Sequence, residues 1–109
     1  MNNHILEAAR TYIREVKQSP EYQEYETQLE KIQKEPELFD KVNEFRKRNF
    51  ELQNSEYSDN LMDRVEELER EFASVREIPL VEDFLEAELA FCRMMQEAET
   101  LIATELDFQ

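Results

Sequence analysis

The chain contains no glycine in 109 residues, and this absence restricts its fold more than any other feature. Glycine supplies the positive φ angles that tight β-hairpin turns need, and a chain without it has few ways to build such turns. The commonest residues, among them Glu, Leu, Ala, Gln, Lys and Arg, lose little free energy on entering a helix. The sequence therefore predicts an all-α fold.

Apolar residues recur at intervals of three and four along nearly the whole chain, which is typical of amphipathic helices. The spacing predicts helical stretches over about residues 4–17, 20–35, 36–53, 61–76 and 79–106. Ser19 and Pro20 predict a stop and a restart, because Ser is a good N-cap and Pro is tolerated at the first helical position. Pro36 either kinks a long helix or begins a separate one, and we favour one bent helix to about Gln53.

Residues 54–60 form the one run that is rich in turn and cap residues, so we expect the main reversal of the chain there. Ser58 or Asp59 is the expected N-cap of the next helix. The last helix carries too much apolar surface for one neighbour, since Leu80, Leu85 and Leu89 widen its main stripe. We therefore predict one domain, residues 1–109, that associates into a helical homo-oligomer.

The charge of the chain excludes several classes of partner. Thirteen Lys and Arg against 27 Asp and Glu leave a net charge of −14, which repels phosphate backbones and anionic lipid. We expect no direct binding of nucleic acid or membrane, and we interpret the basic run at residues 46–48 as a solvated helix face. One cysteine and the lack of an apolar leader or long apolar span indicate the cytoplasm.

Catalytic, cofactor and metal sites are not predicted. Cys92 lies on the apolar part of the last helix, where we interpret it as a small packing residue rather than a ligand or redox centre. His4, the sole histidine, lies near a terminus without a Glu three residues before it, so we expect it to face solvent. A chain without glycine also offers no nucleotide-binding loop, and we expect it not to be an enzyme.

Glu88 falls inside the apolar stripe of the last helix. We expect its carboxylate to reach water at the edge of the stripe, and if it is buried it needs Arg14, Arg64 or an Arg from another subunit. Tyrosines and methionines suit an interaction surface, although packing in the core is the default for such residues. The candidate interface residues are Tyr22, Tyr25, Val81, Phe84, Glu88, Phe91, Met94 and Met95.

Three segments, in this order, resemble the YlbF/YmcA/YheA family of small helical bacterial regulatory proteins. They are "SPEYQEY" at residues 19–25, "FDKVNEFRKRNFELQ" at residues 39–53 and "IPLVEDFLEAELAFCRMMQEAETLI" at residues 78–102. The likeness runs from about Ile5 to Phe108. Ile78 replaces the Asn that is common before the family's proline, which weakens the cap there. Some members carry a cysteine-rich C-terminal tail linked to iron–sulfur clusters, and we expect this chain to be the short form without it.

The resemblance implies long antiparallel helices that form a helical bundle, completed by oligomerisation as a dimer or tetramer. It also implies a non-catalytic regulatory adaptor in the cytoplasm, with no cofactor. Family members act in protein complexes that influence competence, biofilm formation and sporulation, in part by adapting an endoribonuclease to its transcripts. The alternative is a structural helical oligomer or chaperone-like clamp, whose acidic surface binds basic client proteins.

Overall fold

The described part of the chain, residues 3–54 and 60–107, forms five α-helices and no strand in a computed structural model. The helices are α1 (Asn3–Gln18), α2 (Pro20–Gln33), α3 (Pro36–Gln53), α4 (Leu61–Arg76) and α5 (Pro79–Leu106). The predicted all-α fold is confirmed. The predicted turn falls largely on residues 55–59, and these, with the expected caps Ser58 and Asp59, lie outside the described residues.

Ser19 separates α1 from α2 as the sequence predicts. Its backbone is extended, with φ −68° and ψ 147°, and its Oγ accepts a hydrogen bond from the backbone N–H of Tyr22 at 3.1 Å. The same hydroxyl donates to the carbonyl oxygen of Val16 at 2.6 Å, in the last turn of α1. One side chain therefore bonds to the carbonyl end of one helix and satisfies an orphan donor of the next.

Pro36 begins a separate helix, and the expected single bent helix from α2 to Gln53 is wrong. Helix α2 ends at Gln33, and Glu35 lies outside helical geometry with φ −119° and ψ 75°. The proline ring disfavours the α conformation in the residue before it, and proline has no N–H to continue the helical ladder. The break lets α3 leave the direction of α2 and pack elsewhere.

Two antiparallel helix pairs build the bundle. In the first pair, the ring of Tyr25 in α2 stacks on Phe84 and Phe91 of α5 at centroid distances of 6.0 and 5.2 Å, and Tyr22 meets Phe91 edge-on at 5.5 Å. In the second pair, Phe45 of α3 stacks on Phe72 of α4 at 4.0 Å. The α2–α5 and α3–α4 pairs have the most extensive contacts between helices in the described chain.

The hydrophobic core lies where these two pairs meet. Its fully or nearly fully buried members come from α2, α3, α4 and the first turns of α5, and they are Ile32, Val42, Phe72, Val81 and Phe84. Burying a side chain of this kind stabilises the fold by about 1.5–3 kcal/mol. Helix α1 contributes no buried residue, and the buried residues of α5 end at Ala87.

The part of the molecule beyond the core is a pair of helical segments that we call the apolar arm: α1 together with residues 94–106 of α5. The two segments meet at Tyr12, whose hydroxyl donates to the Sδ of Met95 at 3.9 Å. Val16, Ser19, Met94 and Ala98 line a small cavity of about 180 Å³ at the same junction. The arm is thus attached to the bundle without a core of its own.

Candidate interaction surfaces

The eight candidate interface residues lie in different environments. Val81 and Phe84 are fully buried within this chain, so they present no surface there to a partner. They face the core because α2, α3 and α4 all pack on the first half of α5. Ring contacts from Tyr25 and Phe39 cover Phe84, the latter edge-on at 6.1 Å.

Tyr22, Tyr25 and Phe91 form a half-buried aromatic cluster between α2 and α5. The Glu26 carboxylate, one turn from Tyr22, is hydrogen-bonded to the Tyr22 hydroxyl and raises the pKa of that phenol. The cluster therefore holds the two helices together by its rings, while a polar tip remains at the surface. Met94 and Met95 are half-buried beside it, where α5 meets the end of α1.

Glu88 is half-buried and forms an ion pair with Arg46 of α3. The expected partners, Arg14, Arg64 or another subunit, are therefore not the ones that this structure uses. The Arg46 guanidinium also lies over the ring of Phe84, 5.1 Å from its centroid, in a cation–π contact. Burial lowers the pKa of the Arg46 guanidinium below its ordinary value, and the group stays charged at neutral pH.

The basic run at residues 46–48 is more than a solvated face, because two of its three residues bridge helices. Arg48 pairs with Glu71 of α4, whereas Lys47 is exposed. The hydrogen bond from Arg48 holds the pKa of the Glu71 carboxyl below its ordinary value of 4.5. The sequence alone does not predict either ion pair, because Glu88 is 42 residues from Arg46 in the chain and Glu71 is 23 residues from Arg48.

The apolar arm exposes five large aliphatic side chains, which are 45–67% accessible: Ile5, Ile13, Leu101, Ile102 and Leu106. None was among the candidate interface residues. The signal for the two residues of α1 is the apolar stripe of that helix, which contains no buried residue. The excess apolar surface predicted for α5 is thus present, but it is concentrated in its second half and continues onto α1.

A second apolar surface runs along the first half of α5, and we call it the α5 groove. It has a volume of about 630 Å³ and is lined by Phe45, Arg76, Glu77, Glu82, Leu85, Glu86, Glu88, Leu89 and Cys92. Cys92 is exposed there, so its interpretation as a packing residue is wrong within this chain. Its side chain lies beside the Phe84–Phe91 stripe rather than in it, and α2 therefore does not cover it.

The described residues contain no group of three or more His, Cys, Asp and Glu side chains that is able to hold a metal ion. His4 lies in the first turn of α1 and is exposed. Across the same described residues, every helix is too short or too polar to cross a membrane.

Comparison with known proteins identifies a family by its sequence model. The model described as control of competence regulator ComK, YlbF/YmcA, matches residues 5–107. No curated protein and no solved structure matches the chain. The matched segment includes all four helices of the bundle and nearly all of the apolar arm. The chain therefore belongs to the YlbF/YmcA family of regulators that control competence.

Proposed function

We propose that this protein is a non-catalytic regulatory adaptor of the cytoplasm, which acts by binding other protein chains. The observation that carries the proposal is the apolar arm. Its aliphatic side chains are exposed on α1, which has no buried residue, and on the part of α5 beyond its last buried residue, Ala87. Several exposed aliphatic side chains on neighbouring helical segments are characteristic of sites that contact other proteins. Membership of a regulatory family supports the same role.

The first chain that we expect on the arm is a second copy, which gives a homo-oligomer, a dimer or a tetramer. Helix α1 carries three Arg or Lys and two Glu, a net charge of +1, in a chain whose net charge is −14. Residues 94–106 of α5 carry three Glu and no Lys or Arg. Pairing α1 of one copy with residues 94–106 of the other therefore joins opposite charges and covers both apolar stripes.

Further partners are regulatory proteins, and the family resemblance points to an endoribonuclease complex. This is tested by affinity purification of the tagged protein from its native cell, beside two variants of α5. Leu101→Glu places a charge on the apolar arm, and Thr100→Glu places the same charge on the neighbouring exposed position. We expect a small, defined set of proteins with the wild type and Thr100→Glu, and loss of that set with Leu101→Glu. An identical set with all three contradicts the arm as the adaptor surface.

A chaperone-like clamp for basic client proteins is the second candidate, and the acidic character of α5 favours it. That helix carries seven Asp or Glu and a single Arg. The purification separates the two functions, because a clamp captures many basic proteins and releases them as salt screens the charges. A small set that survives physiological salt supports the adaptor.

A further inference from the structure

The α5 groove has the shape of a site for one helix. Leu85, Leu89 and Cys92 follow each other at intervals of four and three residues, and they form a narrow apolar stripe along one side of α5. Phe45 of α3 also lines the groove. From Glu82 to Cys92 the groove follows about 15 Å of α5, at 1.5 Å per residue, which matches three turns of an incoming helix.

Leu89 is an exposed apolar residue of the groove. It is 50% accessible although it lies in the middle of a 28-residue helix, and none of the five described helices covers it fully. Leu85 is half-buried and Cys92 is exposed. The groove thus offers an incoming side chain an open apolar surface rather than a closed cavity.

Acidic side chains surround the groove. Glu77, Glu82 and Glu86 line it, and none takes part in the two ion pairs found among the described residues. The single basic residue of the lining, Arg76, lies over the rings of Phe45 and Phe72 at 5.6 and 5.5 Å. The rim therefore presents a net negative charge beside an apolar floor.

The negative charge of the rim favours a basic occupant of the groove over an acidic one. A second copy of this acidic chain, or an anionic ligand, brings negative charge to a negative rim. A helix with apolar residues on one face and Lys or Arg on its flanks satisfies both the floor and the rim. Helix α1, the one described helix with a net positive charge, carries only that single positive charge, and the apolar arm already gives it a position.

We propose that the α5 groove binds a basic amphipathic helix of a partner protein, with apolar anchors on Leu85 and Leu89 and cationic side chains toward Glu77, Glu82 and Glu86. The proposal rests on the adaptor function and names the class of segment that such a partner contributes. The groove and the apolar arm are then separate surfaces with separate occupants.

The test uses fluorescein-labelled 18-residue peptides and the full-length protein, with binding followed by fluorescence anisotropy. The first peptide has Leu at helical spacings of three and four and Lys at the other positions. The second keeps the Leu positions and replaces Lys by Glu, and the third has the first peptide's composition in an order without a helical face. We expect saturable binding of the first and at least tenfold weaker binding of the other two.

Variants then place the binding on the groove. Leu89→Gln should weaken the first peptide about tenfold, whereas Met62→Gln, at an exposed apolar residue of α4, should leave its affinity unchanged. Glu86→Lys should weaken it several-fold and reduce its salt dependence. Glu66→Lys changes the net charge equally on the exposed face of α4 and should have a much smaller effect.

Equal loss of affinity with Leu89→Gln and Met62→Gln overturns the proposal, as does equal binding of the ordered and reordered Lys peptides. A change of sedimentation mass with Leu89→Gln identifies the groove as a contact between copies and overturns it too. Peptide binding on the groove without any defined partner in the cell contradicts the adaptor function and leaves the groove assignment standing.

Discussion

Among single residues, Gln28 is the buried polar side chain with an incomplete set of hydrogen bonds. It is 7% accessible, and its Nε2 donates to the Oε1 of Glu24 at 2.6 Å, while its own Oε1 has no partner. An unsatisfied buried acceptor costs about 1–3 kcal/mol of stability. Glutamine at this position therefore weakens the contact between α2 and the rest of the bundle.

Replacement of Gln28 by Met should raise the free energy of unfolding by about 1 kcal/mol, because it removes the unpaired acceptor and keeps the length of the side chain. Gln33→Met, at the exposed end of the same helix, is the matched control and should change stability by much less. Urea denaturation at one fixed protein concentration gives both values. A lower stability for Gln28→Met than for the control contradicts this interpretation.

The Glu71 carboxylate should make the stability of the protein depend on pH. Its pKa is lowered in the folded protein by the hydrogen bond from Arg48, so its contribution to stability is present above the ordinary value of 4.5. It is lost as pH falls through the lowered pKa. Glu71→Gln should therefore be less stable than the wild type at pH 7, and the difference should shrink toward zero in acid below pH 4.5.

The measurement is urea denaturation at a series of pH values from 7 to 3. Glu66→Gln, at an exposed position of α4 outside the two ion pairs, is the control and should track the wild type at every pH. A difference for Glu71→Gln that grows as the solution is acidified has the opposite sign and is incompatible with the lowered pKa.

At the scale of elements, two ion pairs tie α3 to the other helices: Arg46–Glu88 to α5 and Arg48–Glu71 to α4. The side chains of the first pair are 36% and 27% accessible, and those of the second are 40% and 47% accessible. Charges nearer the interior are less screened by water and salt. The Arg46–Glu88 pair should therefore be the stronger of the two.

Double-mutant cycles measure this ordering. Arg46→Met and Glu88→Gln, alone and combined, should give a coupling free energy of about 0.5–1 kcal/mol. Arg48→Met and Glu71→Gln should give a smaller coupling. Equal couplings, or a larger one for the second pair, would show that burial does not decide the strength of these contacts.

The positions of most helices can be predicted from the local sequence, whereas the contacts between helices cannot. The three-four spacing predicts the positions of α1, α4 and α5 to within a residue or two, and the Ser19–Pro20 signal predicts the break between α1 and α2, because these signals are local. Pro36 permits either a kinked helix or a break. The choice depends on which arrangement gives the more favourable packing between helices, and the sequence around Pro36 does not specify that packing. The partners of Arg46 and Cys92's exposure depend on which face α2 covers, and helix spacing alone does not specify this.

The whole molecule consists of a bundle with a core at one end and the apolar arm at the other. The core accounts for the stability of α2 to α4 and the first half of α5. The second half of α5 and α1 have helical structure with little burial, and a helix of this length in water depends on packing for most of its stability. We propose that another chain on the arm supplies that packing.

Sedimentation equilibrium of the wild-type protein at micromolar concentration tests whether a second copy covers the apolar arm. We predict a dimer or tetramer of the 13.2 kDa chain, and a shift toward the monomer with Leu101→Glu but not with Thr100→Glu. A stable wild-type monomer across that concentration range would contradict this prediction, because the apolar side chains of the arm would then remain exposed to water without a second copy to cover them.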